Sequence, residues 1–167
     1  VLFVDDLKIS KSMRPYFNQQ KFKVTFDTAF LEVIKNCAGT KRGPENSSWI
    51  SENFVAAYAA LHAQGFAHSV EVWSGNQLVG GLYGVSLGAA FFGESMFSKV
   101  PNASKFGFIS LVKWLQKHGI NFIDCQVYTA HLASLGAKEI SRSAFLENLK
   151  ETQKAETLRG NWLYSAF

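Results

Sequence analysis

Three side chains with hydrogen-bonding or proton-transfer chemistry stand in strand-like surroundings where polar groups are costly. Asp124 and Gln126 interrupt the run Phe122-Ile123-Asp124-Cys125-Gln126-Val127, and alternation along a strand turns both to one face, opposite Ile123, Cys125 and Val127. Glu94 sits between Gly93 and Ser95 in a stretch otherwise made of Ala89, Ala90, Phe91, Phe92, Met96 and Phe97. A carboxylate there is unfavourable unless it is paired or put to use. Two carboxylates and an amide brought together can orient a nucleophile and take up a proton. The Asp124–Gln126 pair can equally be a structural hydrogen-bond network in a short central strand, and on the residues alone both readings stay open.

Stronger signatures are missing. The sequence has no P-loop, HExxH or GxGxxG, so the common kinase and zinc readings fall away. Gly80, Gly81, Gly84 and Gly88 lie within and between strand segments, with no helix start after them to hold an anion, and read as bulges or close backbone approaches. His62, His68, His118 and His131 lack ligand spacing and read as capping, surface or core residues. Cys37 and Cys125 form no CxxC pattern and read as reduced thiols. Neither a metal nor a cofactor is implied.

The elements that would position these residues follow from periodicity and punctuation. Phe22–Phe26 alternates like a strand, and Asp27 can cap a helix running to about Cys37. Gly39–Ser48 is a loop of turn formers. Ser51 starts a helix with Phe54, Tyr58 and Leu61 on one face and Gly65 at its end. Ser69–Trp73, Gln77–Val85 and Ala89–Phe97 form an antiparallel meander. Asn102 caps a helix over Ala103–His118, which Gly119 stops. Phe106, Phe108, Ile109, Leu111, Val112, Trp114 and Leu115 spread over two faces of that helix, so it is buried on both sides or has one face lining a cavity. A strand at Asn121–Val127, a short helix at Ala130–Leu135, a strand at Lys138–Ile140 and a helix capped by Ser141 or Ser143 complete the chain. This is the order of a GNAT-like acyltransferase fold, an α+β architecture with a central, mostly antiparallel sheet flanked by helices.

Composition bounds the rest. With 167 residues, 47% apolar and 14% aromatic, one globular domain over 1–167 is expected. No stretch reaches the length of a membrane span, and the start, VLFVDD, does not read as a signal peptide, so a soluble cytoplasmic protein is expected. The net charge of +4 is unevenly placed. Leu7–Arg42 holds eight Lys or Arg against Asp27 and Glu32, a net of +6, whereas Gly43–Ser98 has neither Lys nor Arg but keeps Glu45, Glu52, Glu71 and Glu94. The division suits a polyanion held by the first quarter and a cation received by the middle, or a solvated face beside a core segment.

The segments HSVEVW (68–73), LVGGLYGV (78–85), FGESMFSKVPNASK (92–105), IDCQV (123–127) and HLASLGAKEI (131–140), together with LKISKSMR (7–14) and Trp49-Ile50, closely resemble the bacterial leucyl/phenylalanyl-tRNA–protein transferase family. The resemblance spans nearly the whole chain. It implies a GNAT-like domain, acting as a monomer, that moves Leu or Phe, and Met more weakly, from aminoacyl-tRNA to the α-amine of proteins beginning with Arg or Lys, for degradation by the N-degron pathway. It implies no metal or cofactor. Lys8, Lys11, Arg14, Lys21 and Lys23 would hold tRNA phosphates, and Trp49 would stack on the terminal adenine. Met96, Phe108, Leu111, Leu115 and Ile123 would form the pocket for the transferred side chain. Asp124 would orient the amide of Gln126, whose carbonyl oxygen accepts from the attacking amine, with Glu94 placing the ribose end or receiving the proton. Members of the family usually carry a further small N-terminal domain, and a start in mid-strand fits its absence or truncation. At Tyr128-Thr129-Ala130 the sequence departs from the family's usual Asn and acidic residue before the His.

Two other functions remain compatible with these residues. An N-acyltransferase using acyl-CoA would need a glycine-containing pyrophosphate turn, which 97–102 does not supply. A non-catalytic RNA-binding module would rest on the basic segment alone.

Overall fold

Turn chemistry builds the centre of the sheet. Strands β3 (Ala67–Ser74), β4 (Gln77–Leu87) and β5 (Ala90–Ser98) are joined by tight turns in which Gly75 and Gly88 take φ of 57° and 58°, the left-handed region that two-residue hairpin turns require. The computed structural model describes residues 1–39 and 50–165, and within them β2 (Lys23–Phe26) adds antiparallel to β3. On the other side, β6 (Phe122–Asp124) lies parallel to β5 and β1 (Leu2–Phe3) antiparallel to β6. The order is β1-β6-β5-β4-β3-β2, a mixed, mostly antiparallel sheet in an α+β fold, as expected. Helix α4 (Ala103–Lys117) makes the crossover that the parallel β5–β6 pair needs.

Helices cover both faces. Helix α1 (Arg14–Asn18) is a short turn near the start of α4. Against one face lies α4, with Phe106, Phe108, Ile109, Leu111, Val112, Trp114 and Leu115 all buried. Helix α2 (Phe30–Ala38) packs on the other, with α3 (Glu52–Ala63) beside it. The breadth of apolar surface on α4 is therefore that of a helix buried on both sides, with Phe108 also reaching a cavity. Ser51 caps α3 by accepting from the N–H of Phe54, the short α5 (Ala130–Ser134) follows β6, and Ser141 caps α6 (Arg142–Thr152) by accepting from the N–H of Ala144.

Glycines mark close approaches, as their position within strands suggested. A Cβ on Gly84 would lie 2.2 Å from the carbonyl oxygen of Phe92 and 2.6 Å from the Phe91 ring, beside a register shift in the β4–β5 pairing.

Several expectations need correction. Asp27 caps no helix: it has φ of 56°, α2 begins at Phe30, and the Asp27 carboxylate accepts in the core from the N–H groups of Ser69 and Trp162 and pairs with His68 Nδ1. Asn102 makes no side-chain cap; its amide donates to the Tyr16 hydroxyl at 3.1 Å. The expected strand over 121–127 stops at Asp124, because Gln126 takes φ of 62° and cannot continue a ladder. Lys138–Ile140 is not a strand, although Lys138 exchanges backbone hydrogen bonds with Val1 at 2.8 Å each way.

Candidate active site

The parallel strands part company early. Pairing of β5 with β6 runs only from Ala90–Phe92 against Phe122–Asp124, after which β5 continues alone to Ser98 beside β4. A cavity of about 460 Å³ opens in that fork, lined on the β5 side by Gly93, Glu94, Ser95 and Met96 and on the β6 side by Ile123, Asp124, Cys125, Val127 and Thr129. Its buried lining is mostly apolar, made of Leu82, Phe91, Phe108, Ile123 and Leu132 with the hydroxyl-bearing Tyr83 and Ser95, while Glu94 and Asp124 are only half-buried. The volume falls within the roughly 300–1,000 Å³ typical of small-ligand sites. The fork thus offers an apolar floor and two carboxylates.

Glu94 is paired, as a half-buried carboxylate in an apolar strand should be. Tyr58 on α3 donates its hydroxyl to it, and burial, then the Glu94 charge and that hydrogen bond, push the phenol up to about 12. Tyr58 thus remains a hydrogen-bond donor at any working pH. Its ring also meets Tyr83 edge-on at 5.3 Å.

Asp124 and Gln126 are connected differently from the strand-face picture. The backbone N–H of Gln126 donates to Asp124 Oδ1 at 2.8 Å, an Asx-type turn that lets the chain leave the strand and holds Gln126 in the left-handed region. Gln126 is exposed and lines a second hollow of about 540 Å³ that it shares with Asp124, Cys125, Val127, Tyr128 and Glu139. Burial pushes the Cys125 thiol up to about 11, so it stays protonated between the two hollows.

Of the five apolar residues expected to line one pocket, Met96, Phe108 and Ile123 do so, whereas Leu111 and Leu115 do not. Both leucines are fully buried in the core. Leu115 shares a helical face with Phe108 but lies roughly 10 Å further along the axis, past the end of the cavity. Lys8, Lys11, Arg14, Lys21 and Lys23 are all exposed. Trp49 lies outside the described residues, as do Glu45 and most of the 39–48 loop.

Among the lysine-free segment's acids, Glu71 is a core residue that meets no cation among the described residues. Its carboxylate accepts from the hydroxyls of Thr25, Thr28 and Ser69. Three of the histidines are structural. His62 stacks on Phe30, His68 on Trp162, and His118 on Trp114. His131, read from sequence as equally unremarkable, lines the cavity, and burial and then Lys105 hold its imidazole below the ordinary 6.5. Neither Tyr58 nor His131 carried a local signal, since each reaches the fork only through tertiary packing.

The sequence pattern of leucyl/phenylalanyl-tRNA protein transferase matches residues 1–150. The leucyl/phenylalanyl-tRNA–protein transferase of Flavobacterium johnsoniae is 55% identical over 150 residues, covering 90% of this chain and 71% of its own. That of Syntrophobacter fumaroxidans is 50% identical over 164 residues, covering 96% and 70%. Among solved structures, an aminoglycoside acetyltransferase from a soil metagenome is similar at 14% identity with a TM-score of 0.49, over 82% of this chain and 91% of that one. The match over residues 1–150, with 55% and 50% identity to these two relatives, means that the chain belongs to the leucyl/phenylalanyl-tRNA protein transferase family.

Proposed function

We propose that this chain is an aminoacyltransferase that moves Leu or Phe, and Met more weakly, from aminoacyl-tRNA to the α-amine of a protein beginning with Arg or Lys. It does so as one GNAT-like catalytic domain, a monomer in the cytoplasm feeding the N-degron pathway. The observation that carries the reading is the fork between β5 and β6, where an apolar cavity of about 460 Å³ and the carboxylates of Glu94 and Asp124 meet, in a chain of this family. Met96, Phe108 and Ile123 would hold the transferred side chain. An apolar pocket separates side chains differing by one methylene by only about 1–3 kcal/mol, which accounts for tolerance of Met.

The donor ester is already activated, so positioning and one proton transfer suffice. The amine nitrogen attacks the ester carbonyl, the new C–N bond forms as the C–O bond to the ribose breaks, and the amine's proton ends on the ribose oxygen. Gln126 would accept a hydrogen bond from the incoming amine, Asp124 would fix Gln126 through its backbone N–H, and Glu94, steadied by Tyr58, would place the ribose end or carry the proton. Lys8, Lys11, Arg14, Lys21 and Lys23 would grip tRNA phosphates, with Trp49 under the terminal adenine.

The test is transfer of labelled Phe from charged tRNA to a peptide starting with Arg, beside one starting with Glu and beside acetyl-CoA as donor. Label on the Arg peptide from Phe-tRNA alone is the expected result. Acetylation without aminoacyl transfer would overturn the reading.

A further inference from the structure

A groove whose described lining carries no acidic residue leads into the fork. A surface hollow of about 350 Å³ is lined by Lys35, Asn36, Phe97, Ser98 and Lys99, and a second of about 400 Å³ by Ser98, Lys99, Asn102, Lys105 and His131. The two share Ser98 and Lys99, and the second shares His131 with the candidate active cavity. Together they form a trough from the end of α2, across the β5–α4 junction, to the fork. Its ionisable lining is cationic or neutral: Lys35, Lys99, Lys105 and His131, with no carboxylate among the described lining residues. These lysines are also free of ion pairs among the described residues. The basic segment abuts the same junction, since Tyr16 accepts from the Asn102 amide and Lys21 lies 4.6 Å above the Tyr16 ring. At the inner end, His131 Nε2 is buried and has no hydrogen-bond partner among the described residues, an arrangement that costs free energy unless a ligand supplies one.

We propose that this trough carries the sugar–phosphate backbone of the single-stranded 3′ end of the donor RNA, with Lys99 and Lys105 on its last phosphodiesters and His131 on a polar group of the terminal nucleotide. The proposal rests on the aminoacyl-tRNA reading above and deepens it. A chain with one negative charge per nucleotide is what a run of unpaired lysines along a groove attracts, and a polypeptide beginning with Arg or Lys is what it repels. The path also joins the two features that reading needs, a basic surface for the stem and an apolar cavity for the aminoacyl group.

The experiment uses the whole chain with Lys99→Ala/Lys105→Ala, beside Lys150→Ala/Lys154→Ala as a charge-matched control on α6. Binding is measured with a labelled oligoribonucleotide ending in CCA, as a function of salt. Loss of two single-strand phosphate contacts lowers the slope of log K against log salt by about 1.4, while the control binds as the parent does. Transfer is measured from Phe-tRNA and from phenylalanyl-adenosine, which has no 5′ phosphate. The variant should lose tenfold or more in kcat/KM with Phe-tRNA and stay within twofold with phenylalanyl-adenosine. Unchanged oligonucleotide affinity and slope overturn the trough whatever the transfer assay gives, as does a variant whose defect is confined to the KM of the acceptor peptide. Weakened oligonucleotide binding in a protein that transfers nothing from Phe-tRNA leaves the trough standing and overturns the aminoacyl-transfer reading.

Discussion

Asp124 and Gln126 form a joint whose two members do different work. Asp124 accepts the Gln126 N–H and holds that residue at φ of 62°, a conformation that a non-glycine residue keeps only when its surroundings enforce it. Asp124→Ala and Gln126→Ala should each lower single-turnover transfer on the order of 10²-fold, the scale of a misplaced reacting group. The double variant should be barely worse, because one unit is lost either way. Asp124→Asn keeps an oxygen for the N–H and should recover most of the Asp124→Ala loss. Additive penalties, or activity lost only in step with folded protein, would make the pair scaffolding. His131 gives a pH signature of known sign. Its folded pKa lies below the ordinary 6.5, so on acidification through that value the unfolded chain gains a proton before the native one does, and stability falls. Denaturation midpoints between pH 7.5 and 5 should drop less for His131→Gln than for the parent; parallel curves would remove His131 from the balance. Asp124, Gln126 and Glu94 were legible as polar interruptions of apolar runs. Tyr58 was legible only as one member of a helix face, and the hydrogen bond that makes it matter joins residues 36 positions apart.

The elements were legible where turn formers and caps coincide with periodicity, as in the β3–β4–β5 meander and at Ser51 and Ser141. They were illegible where tertiary partners override local preference. Asp27 has the chemistry of a helix cap, but β3 and the chain's last turn offer it three partners, and a buried carboxylate follows these. The strand after α4 was overestimated because its apolar alternation continues to Val127, whereas pairing ends once Asp124 captures the Gln126 N–H. The fork depends on β5 keeping its register beside β4 after β6 has left, and Gly84 sets that register. Gly84→Ala would drive a methyl to 2.2 Å from the Phe92 carbonyl oxygen, which should cost about 3 kcal/mol or more and lower Tm by roughly 6–12 °C. Gly75→Ala is the comparison: nothing lies within 4 Å of its Cβ, and only the φ of 57° is unfavourable, for about 1–2 kcal/mol. Equal melting losses at the two positions would mean that the close approach at Gly84 relaxes without consequence.

Across the whole molecule, the last residues close the core behind the sheet. The match to the family pattern ends at residue 150, yet Trp162 is 1% exposed, stacked against Trp114 of α4 at 4.2 Å and against His68 of β3 at 3.7 Å. Its backbone N–H is one of the three groups held by Asp27, and its indole N–H donates to the Leu158 carbonyl. The tail therefore ties the crossover helix to β3 and to the turn after β2, and its Trp162 ring also meets that of Phe91, part of the fork's apolar lining, at 6.0 Å. Trp162→Ala should cost about 3–5 kcal/mol, as a large aromatic lost from a packed core does, with unchanged kcat per folded molecule because none of these contacts reaches Glu94, Asp124 or Gln126. Asp27→Ala should cost a similar amount by leaving the Ser69 and Trp162 N–H groups and His68 unsatisfied. Combining the two should cost clearly less than their sum, since either change alone already frees the tail. The measurement is chemical denaturation of both single variants and the double, with transfer rates normalised to folded protein. Additive losses would show that Trp162 and Asp27 stabilise separate parts of the fold. A drop in normalised kcat for Trp162→Ala would place the tail in the path between core packing and the fork.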